Sequence, residues 1–410
     1  MTEQILIRFE AICSLMTSRD VLLDAISYWD DLISQEKVIH RNLTEKIEKT
    51  LDMEEITVVT GVRRAGKTYI LYELCRRHGG LYINFEDERL YDFDIEDFEK
   101  ITSIAEEKKT KIIYMDEVQE VRGWERFAHR AHKKYKIFVT GSNSRLMRSE
   151  YSTALVGRTI TFRVSPLLYP EFLRFRKLKV ERSSFEEYLR HGGFPRVVLT
   201  GNTDLIKDYF DRIIYRDIVG RERVKYPEAL RTMAVYLLSN AGKEFSYRSL
   251  KEITGIKHEV TVKKYLSHLE NAFLLDTVRK YSPSLKIQES YVKKVYASDT
   301  GFLNLGRRAS KDLGRILENA VYLHLRDRYD VFFGKNRREV DFLLCENLKP
   351  LKIVNVTYEV NDKITLKRVI TGLKHFMNEY GVPGEFVSMY PFNADDIPVR
   401  LAHRFCAELN

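Results

Sequence analysis

Three stretches of this chain carry residue types at spacings that serve phosphoryl chemistry. The first runs Glu55-Ile-Thr-Val-Val-Thr-Gly61-Val-Arg-Arg-Ala-Gly66-Lys67-Thr68 and passes into Tyr69-Ile-Leu-Tyr-Glu-Leu-Cys-Arg-Arg77. A β-branched run, a glycine-bounded loop and an amphipathic segment follow one another, with the spacing G-x-x-x-x-G-K-[ST] of a phosphate-binding loop. Gly61 and Gly66 permit backbone conformations and close approaches that a Cβ forbids. The loop amides and the start of the helix then form an anion site. Lys67 would reach the β- and γ-phosphates, and Thr68 would offer its hydroxyl to Mg²⁺. Gly61, Arg64, Ala65, Gly66, Lys67, Thr68 and Tyr69 are the candidate nucleotide contacts from this stretch.

The second stretch is Lys111-Ile-Ile-Tyr-Met-Asp116-Glu117, an apolar strand ending in two adjacent acids. Asp116 is placed to hold Mg²⁺ directly or through water, and Glu117 to polarise the attacking water, because hydrolysis needs a positioned nucleophile. The third is Ile137-Phe-Val-Thr140-Gly141-Ser142-Asn143, whose small polar end suits sensing of the γ-phosphate or orientation of the water. Asn143 is the candidate catalytic group there and Ser142 a candidate nucleotide contact; an ordinary turn is the alternative. Together the three stretches require ATP and Mg²⁺.

The elements that must position these groups follow from apolar periodicity. Runs at Val58, Leu81–Phe85, Ile112–Met115, Ile137–Val139 and Ile160–Val164 are separated by helix-length segments, the pattern of a mainly parallel sheet with helices on both faces. Ligands on such a sheet bind beyond the carboxyl ends of the strands, where all three stretches fall. Residues 1–50 read as helical, with Ile5, Phe9, Cys13, Met16, Val21, Leu22, Ile26 and Ile33 near helical spacing.

With these motifs in place the chain resembles the archaeal and bacterial AAA-type ATPases that carry a C-terminal domain of unknown function. The further residues that carry the resemblance are Asn84-Phe-Glu86-Asp87-Glu88-Arg89-Leu90, Val156-Gly157-Arg158, Pro166–Phe172, His191-Gly-Gly-Phe-Pro195, Tyr215-Arg216-Asp217-Ile218 and Ser298-Asp299-Thr300-Gly301-Phe302. The resemblance implies an α/β core with sheet order 5-1-4-3-2, related to origin-recognition and STAND ATPases. It places Arg158 just past the sensor strand. There an arginine finger could act in cis or across a subunit interface, or the residue could instead pair with nearby acids. Glu86 would either tune the water of Glu117 or cap the following turn.

The expected organisation is a helical segment at 1–50, the ATPase core at 51–164, a helical lid at 165–230, a winged helix at 231–305 and a small α/β nuclease-like domain at 306–410. Arg212, Arg216 and Arg221 lie at near-helical spacing in the lid, and nothing in the sequence selects one as a second sensor.

Ser246–Gly255 reads as an N-capped helix, Glu259–Leu275 as a second helix with Val262, Tyr265, Leu266, Leu269 and Phe273 inward, and the strands Leu275–Tyr281 and Tyr291–Tyr296 as a hairpin around a Pro/Ser/Lys loop. Lys257, His258, Lys263, Lys264 and His268 would lie on the exposed side of the recognition helix, and Lys280, Lys286, Lys293 and Lys294 near the wing. Basic groups there suit phosphate contact with DNA, though a winged helix can equally serve protein contacts.

In residues 306–410, Glu318 on a helix (Leu313–Tyr329) and Glu339-Val-Asp341 on a strand resemble a PD-(D/E)xK nuclease. Where its motif should end in Glu/Gln-x-Lys the chain reads Asn355-Val-Thr357, so nuclease activity is not expected. Glu359 would share the strand face by period-two alternation. Glu318 and Asp341 would otherwise bond to Lys335, Arg337 or Arg338.

The chain has 410 residues, 44% of them hydrophobic, and Lys+Arg 68 against Asp+Glu 59 gives a net charge of +9, which permits a polyanionic partner. The four cysteines Cys13, Cys75, Cys345 and Cys406 show no paired spacing, which argues against structural zinc or a disulfide framework. With no signal segment and no apolar run of membrane-spanning length, a cytoplasmic location without a membrane partner is expected. DNA and a second copy of the chain are the partners the pattern allows. A DNA-acting ATPase and a STAND-like regulatory switch acting on proteins are the two functional readings.

Overall fold

A computed structural model describes residues 17–142, 155, 157–305, 312–360 and 363–409. The chain divides into two compact units, Met1–Val164 and Ser165–Asn410.

The first unit contains α1 (Arg19–Gln35), α2 (Asn42–Glu48), β1 (Ile56–Gly61), α3 (Lys67–His78), β2 (Leu81–Asn84), α4 (Phe98–Glu107), β3 (Ile112–Asp116), α5 (Trp124–Ala131), β4 (Lys136–Gly141) and β5 (Thr159–Val164). Its five strands pair in parallel in the order β2-β3-β4-β1-β5, the 5-1-4-3-2 order the resemblance implies. β1 is buried along its whole length, as a strand covered on both faces must be. Burial of Ile56, Val58, Ile83, Ile113, Met115, Ile137 and Val139 with α4 and α5 forms the core, and α1 adds Leu22, Ala25 and Ile26 to it. Residues 1–16 of the expected helical segment lie outside the described residues.

The second unit holds α6 (Tyr169–Arg176), α7 (Arg182–His191), α8 (Pro195–Thr200), α9 (Leu205–Arg212), a π-helical stretch Ile213–Val219 and α10 (Pro227–Ser239). There follow β6 (Glu244–Phe245), α11 (Tyr247–Thr254), α12 (Glu259–Asn271), β7 (Leu275–Val278), α13 (Leu285–Ser290) and β8 (Lys293–Ala297). Last come α14 (Leu313–Leu325), β9 (Asp330–Lys335), β10 (Glu339–Glu346), β11 (Lys349–Thr357), α15 (Lys363–Tyr380), β12 (Gly384–Ser388), β13 (Val399–Leu401) and α16 (Ala402–Glu408).

Ser246 caps α11 and Gly255 ends it in the left-handed conformation, and the five inward residues expected for α12 are buried. β6, β8 and β7 form a small antiparallel sheet. The expected Pro/Ser/Lys loop contains α13 instead, because Leu285-Lys-Ile-Gln-Glu-Ser forms a helical turn. The last sheet is mixed, in the order β13-β12-β11-β10-β9.

Two of the resemblance motifs, more than a hundred residues apart, meet inside this unit. Asp299 accepts hydrogen bonds from Gly193 N at 2.6 Å and Gly301 N at 2.8 Å. A Cβ on Gly192, at φ +74°, would lie 1.9 Å from Asp299 Oδ1, so only glycine fits. The Phe194 and Phe302 rings close the contact at 5.1 Å. His191–Pro195 and Ser298–Phe302 are thus one packed lock, and burial pushes the Asp299 carboxyl up to about 6.

Candidate nucleotide-binding site

The phosphate loop is built by backbone geometry. Gly61 has φ +148° and stands so close to β5 that a Cβ would lie 2.1 Å from the Val164 carbonyl oxygen. Gly66 caps α3 with φ 100°, and Arg64 also takes a left-handed φ of 69°. Arg41, from the residue before α2, donates to the Ala65 carbonyl at 2.8 Å and supports the loop from behind. The Lys67 ammonium is buried over the loop, 3.2 Å from the Gly61 carbonyl and 3.3 Å from that of Val62. Arg64 and Tyr69 are exposed at the loop and the helix start, Ala65 is buried in the loop, and Thr68 is half-buried.

The acids arrive at the end of β3, two strands over from β1. Asp116 ends β3 and is fully buried. Its Oδ1 accepts a hydrogen bond from Thr140 Oγ1, and its Oδ2 accepts one of 2.6 Å from Tyr82 Oη. Thr68 also bonds to it. Burial, and then the neighbouring Glu117 charge, push the Asp116 carboxyl up to about 6 against these three hydroxyls.

Glu117 sits at φ 54°, ψ 45°, a left-handed conformation that disfavours a side chain by about 1–2 kcal/mol. Its N–H donates to Thr140 Oγ1 at 3.0 Å, and its carboxylate accepts from the Gln119 side-chain amide. Thr140 therefore ties the two acids together, a role its place in the sensor stretch did not reveal. Thr68 and Asp116 are hard oxygen donors beside an anion cradle, which fits Mg²⁺. Among the described residues no group of three or more His, Cys, Asp or Glu is arranged to hold a metal. An ion here would need ligands from elsewhere, as nucleotide phosphates supply.

Other expected residues fall in different places. Ser142 is buried just past β4, whose Gly141 lies in register with Thr60, so it stands beside the phosphate loop. Asn143 lies outside the described residues. The backbone of Arg158 lies away from the phosphate loop. Its carbonyl accepts from Ile56 N at the opposite end of β1 from the loop. Six residues of strand separate the two ends, roughly 17–20 Å at about 3.3 Å per residue. Of the two alternatives, action in cis or across a subunit interface, this position favours the second. Glu86 pairs with Arg63 of the phosphate loop at 2.7 Å, and its N–H bonds to Asn84 Oδ1. Arg163, in register with Thr60, is an arginine at the right edge of the sheet. Its alternating position in a strand gave no signal.

In the second unit, Lys257, Lys263 and Lys264 are exposed, with Lys263 paired to Glu259 at 2.7 Å and lying 4.8 Å over the Tyr247 ring. Half-buried Lys293 pairs with Glu289. Two expectations fail. His268 is buried facing Glu222, and Lys294 is buried at 2% exposure, because each points into the fold rather than outward.

Lys294 Nζ lies 2.8 Å from Glu339, 3.5 Å from Glu318 and 3.7 Å from Asp341. Glu318 and Asp341 thus pair with a lysine from β8, while Glu339 pairs with Lys294 and, at 3.7 Å, with Lys335. Burial alone would lower the Lys294 pKa, but the carboxylates, Glu318 foremost, hold it above the usual lysine range. Tyr296 Oη donates to Glu318 at 2.7 Å, and Val356 N donates to Asp341 at 2.8 Å. Asn355 Oδ1 turns to accept from Asp341 N at 3.2 Å. Glu359 cannot substitute for it by alternation, since β11 ends at Thr357.

The fold and the loop-and-acid geometry define a P-loop protein of the AAA class. A family model described as an AAA domain matches residues 53–173, and one described as a domain of unknown function (DUF8612) matches residues 182–312. The uncharacterized protein MJ1544 of Methanocaldococcus jannaschii is 33% identical over 373 residues, 84% of this chain and 82% of that one. This chain belongs to the same family as MJ1544. A Haemophilus influenzae protein, also uncharacterized, is 28% identical over 80% of this chain and 88% of its own. Among solved structures, the Walker-type ATPase PABY2304 of Pyrococcus abyssi matches 66% of this chain and 96% of its own, at 15% identity and a TM-score of 0.46. DnaA of Aquifex aeolicus, solved with AMPPCP, matches 57% of this chain and 89% of its own, at 15% identity and a TM-score of 0.29. No helix among the described residues is long and apolar enough to cross a membrane.

Proposed function

We propose that this chain is a Mg²⁺-dependent ATPase that couples hydrolysis to the binding or remodelling of DNA. The observation that carries the reading is the meeting of the phosphate loop with Asp116, Thr140 and Glu117 at the carboxyl edge of one parallel sheet. The loop amides, the α3 N-terminus and Lys67 would hold the β- and γ-phosphates. Mg²⁺ held through Thr68 and Asp116 would neutralise charge on the phosphate oxygens. Glu117 would orient a water against the γ-phosphorus and accept its proton. The new P–O bond forms as the bond to the β-phosphate oxygen breaks, leaving ADP and inorganic phosphate. The DNA half of the reading rests on the exposed Lys257, Lys263 and Lys264 at the turn and outer face of α12, with Lys293 beside the hairpin.

A specific observation favours a second reading, a slow STAND-like switch that controls protein partners. Glu117 is held by Gln119, and Glu86 by Arg63, so both acids are engaged within the protein. A partner, or a second copy presenting Arg158 in trans, would have to release them. ATP turnover measured with and without duplex, forked and single-stranded DNA at two salt concentrations separates the two. Salt-sensitive stimulation supports the DNA reading, and slow turnover that DNA leaves unchanged supports the switch.

A further inference from the structure

Tyr82 stands in β2, in a run that reads as plain core. In the parallel register Tyr82 faces Tyr114 and Asn84 faces Asp116, so Tyr82 starts two residues below the acid on the neighbouring strand. Two residues of strand are roughly 6.6 Å, about the length of a tyrosine side chain. The ring spans that distance and places its hydroxyl 2.6 Å from Asp116 Oδ2. The ring itself is fixed by Tyr72 of α3, with centroids 5.4 Å apart, and by Trp29 of α1 at 6.0 Å. Trp29 is pinned in turn through Nε1–H to Asp87 Oδ2 at 2.7 Å. Tyr82 is fully buried, so its hydroxyl has no water to exchange for this bond.

We propose that Tyr82 is a positioning residue for Asp116, setting the orientation in which that carboxylate meets a divalent cation. Thr140 holds one carboxylate oxygen and Tyr82 the other, so the carboxylate plane has no freedom left. With Thr68 bonded to the carboxylate as well, part of its lone-pair capacity stays open toward a cation. Without the tyrosine hydroxyl Oδ2 loses its donor from β2, the carboxylate is held only by Thr140 and Thr68, and a cation must complete its ordering on binding. The proposal rests on the nucleotide-site reading, and it makes metal affinity depend on a residue that touches neither phosphate nor metal.

The test is Tyr82→Phe, which keeps the ring packing and removes one oxygen. Binding of a fluorescent ATP analogue is titrated first in EDTA and then against Mg²⁺. The expected result is metal-free affinity within about twofold of wild type. The Mg²⁺ concentration for half-maximal enhancement of binding should rise about tenfold, the scale of a lost hydrogen bond to a charged group. Mn²⁺, which binds such sites more tightly, should narrow the difference. Tyr114→Phe is the control, because it also removes a buried tyrosine hydroxyl from this sheet, one without a hydrogen-bond partner among the described residues. It should leave the Mg²⁺ dependence unchanged.

A Tyr82→Phe protein with the wild-type Mg²⁺ dependence overturns the positioning role while leaving the nucleotide site standing. Equal shifts in Tyr82→Phe and Tyr114→Phe overturn it too, since loss of any buried hydroxyl would then suffice. A wild-type protein that binds no nucleotide overturns the site reading itself.

Discussion

Each of the two units gathers a cluster of carboxylates, and the folds treat them in opposite ways. Asp116 and Glu117 are held by neutral donors: Tyr82, Thr140 and Thr68 around the first, Gln119 on the second. No protein cation is bonded to Asp116 among the described contacts, and its negative charge faces the phosphate loop. Glu318, Glu339 and Asp341 instead surround the ammonium of Lys294, which occupies the space a metal would need. Hydroxyl donors orient a carboxylate without neutralising it, so it still attracts a cation from solution. A buried lysine neutralises it and closes the site. The difference between a site for magnesium and a structural ion cluster thus lies in what faces the acids, not in the acids themselves.

The sharpest way to break the comparison is at Glu117. Glu117→Gln should bind ATP as wild type does but slow hydrolysis by about 10²–10⁴-fold, the usual reach of a general base. Lys67→Ala should instead abolish tight binding. A Glu117→Gln protein with wild-type turnover would remove the catalytic side of the contrast.

The next effect falls on the other cluster. Lys294→Met should destabilise the protein by about 3–5 kcal/mol, because it leaves buried carboxylates uncompensated. Chemical denaturation measures this, and added Glu318→Gln should recover part of the loss. A neutral outcome for Lys294→Met would mean that the ammonium contributes no net stability.

A related expectation concerns nuclease activity: plasmid and forked DNA should survive incubation with Mg²⁺ or Mn²⁺. The reason now differs from the one the sequence offers. A lysine is present at the acids, but it sits among them. Cleavage that disappears in Asp341→Ala would reverse the assignment.

The pH dependence of stability sharpens the same point. Burial, against the attraction of Lys294, pushes Glu318 from 4.5 up to about 7. The folded state therefore binds more protons than the unfolded chain between those values. This contribution is complete below about 4.5 and is lost as pH rises through about 7. Asp299, raised from 3.8 to about 6, acts in the same direction over a lower window. Glu318→Gln should flatten the decline in melting temperature between pH 5 and 8, and an unchanged slope would count against the cluster as its source.

The smallest effect is expected outside both clusters. Lys263→Ala with Lys264→Ala should weaken DNA binding severalfold for every sequence and flatten its salt dependence. Most of the change should come from Lys264, since Lys263 already pairs with Glu259. Equal affinity of variant and wild type at two salt concentrations would favour the protein-contact reading.

The sequence by itself determined the phosphate loop, the adjacent acids and the parallel five-strand sheet. Each is local: glycine positions set the loop, a strand's apolar run sets its burial, and alternation of strand and helix sets the layers. The partners of those groups were not legible. Tyr82 reads as core, Thr140 as part of a sensor turn, and Lys294 as one more basic residue near a wing. Their roles depend on which strand lies beside which and on which face a side chain leaves. Arg158 makes the same point in reverse. Nearness in sequence to the sensor stretch suggested the phosphates, but the chain must return to the far end of the sheet before β5 can run parallel to β1. Contacts between residues distant in the chain are settled by strand order and register, and only the tertiary structure decided those.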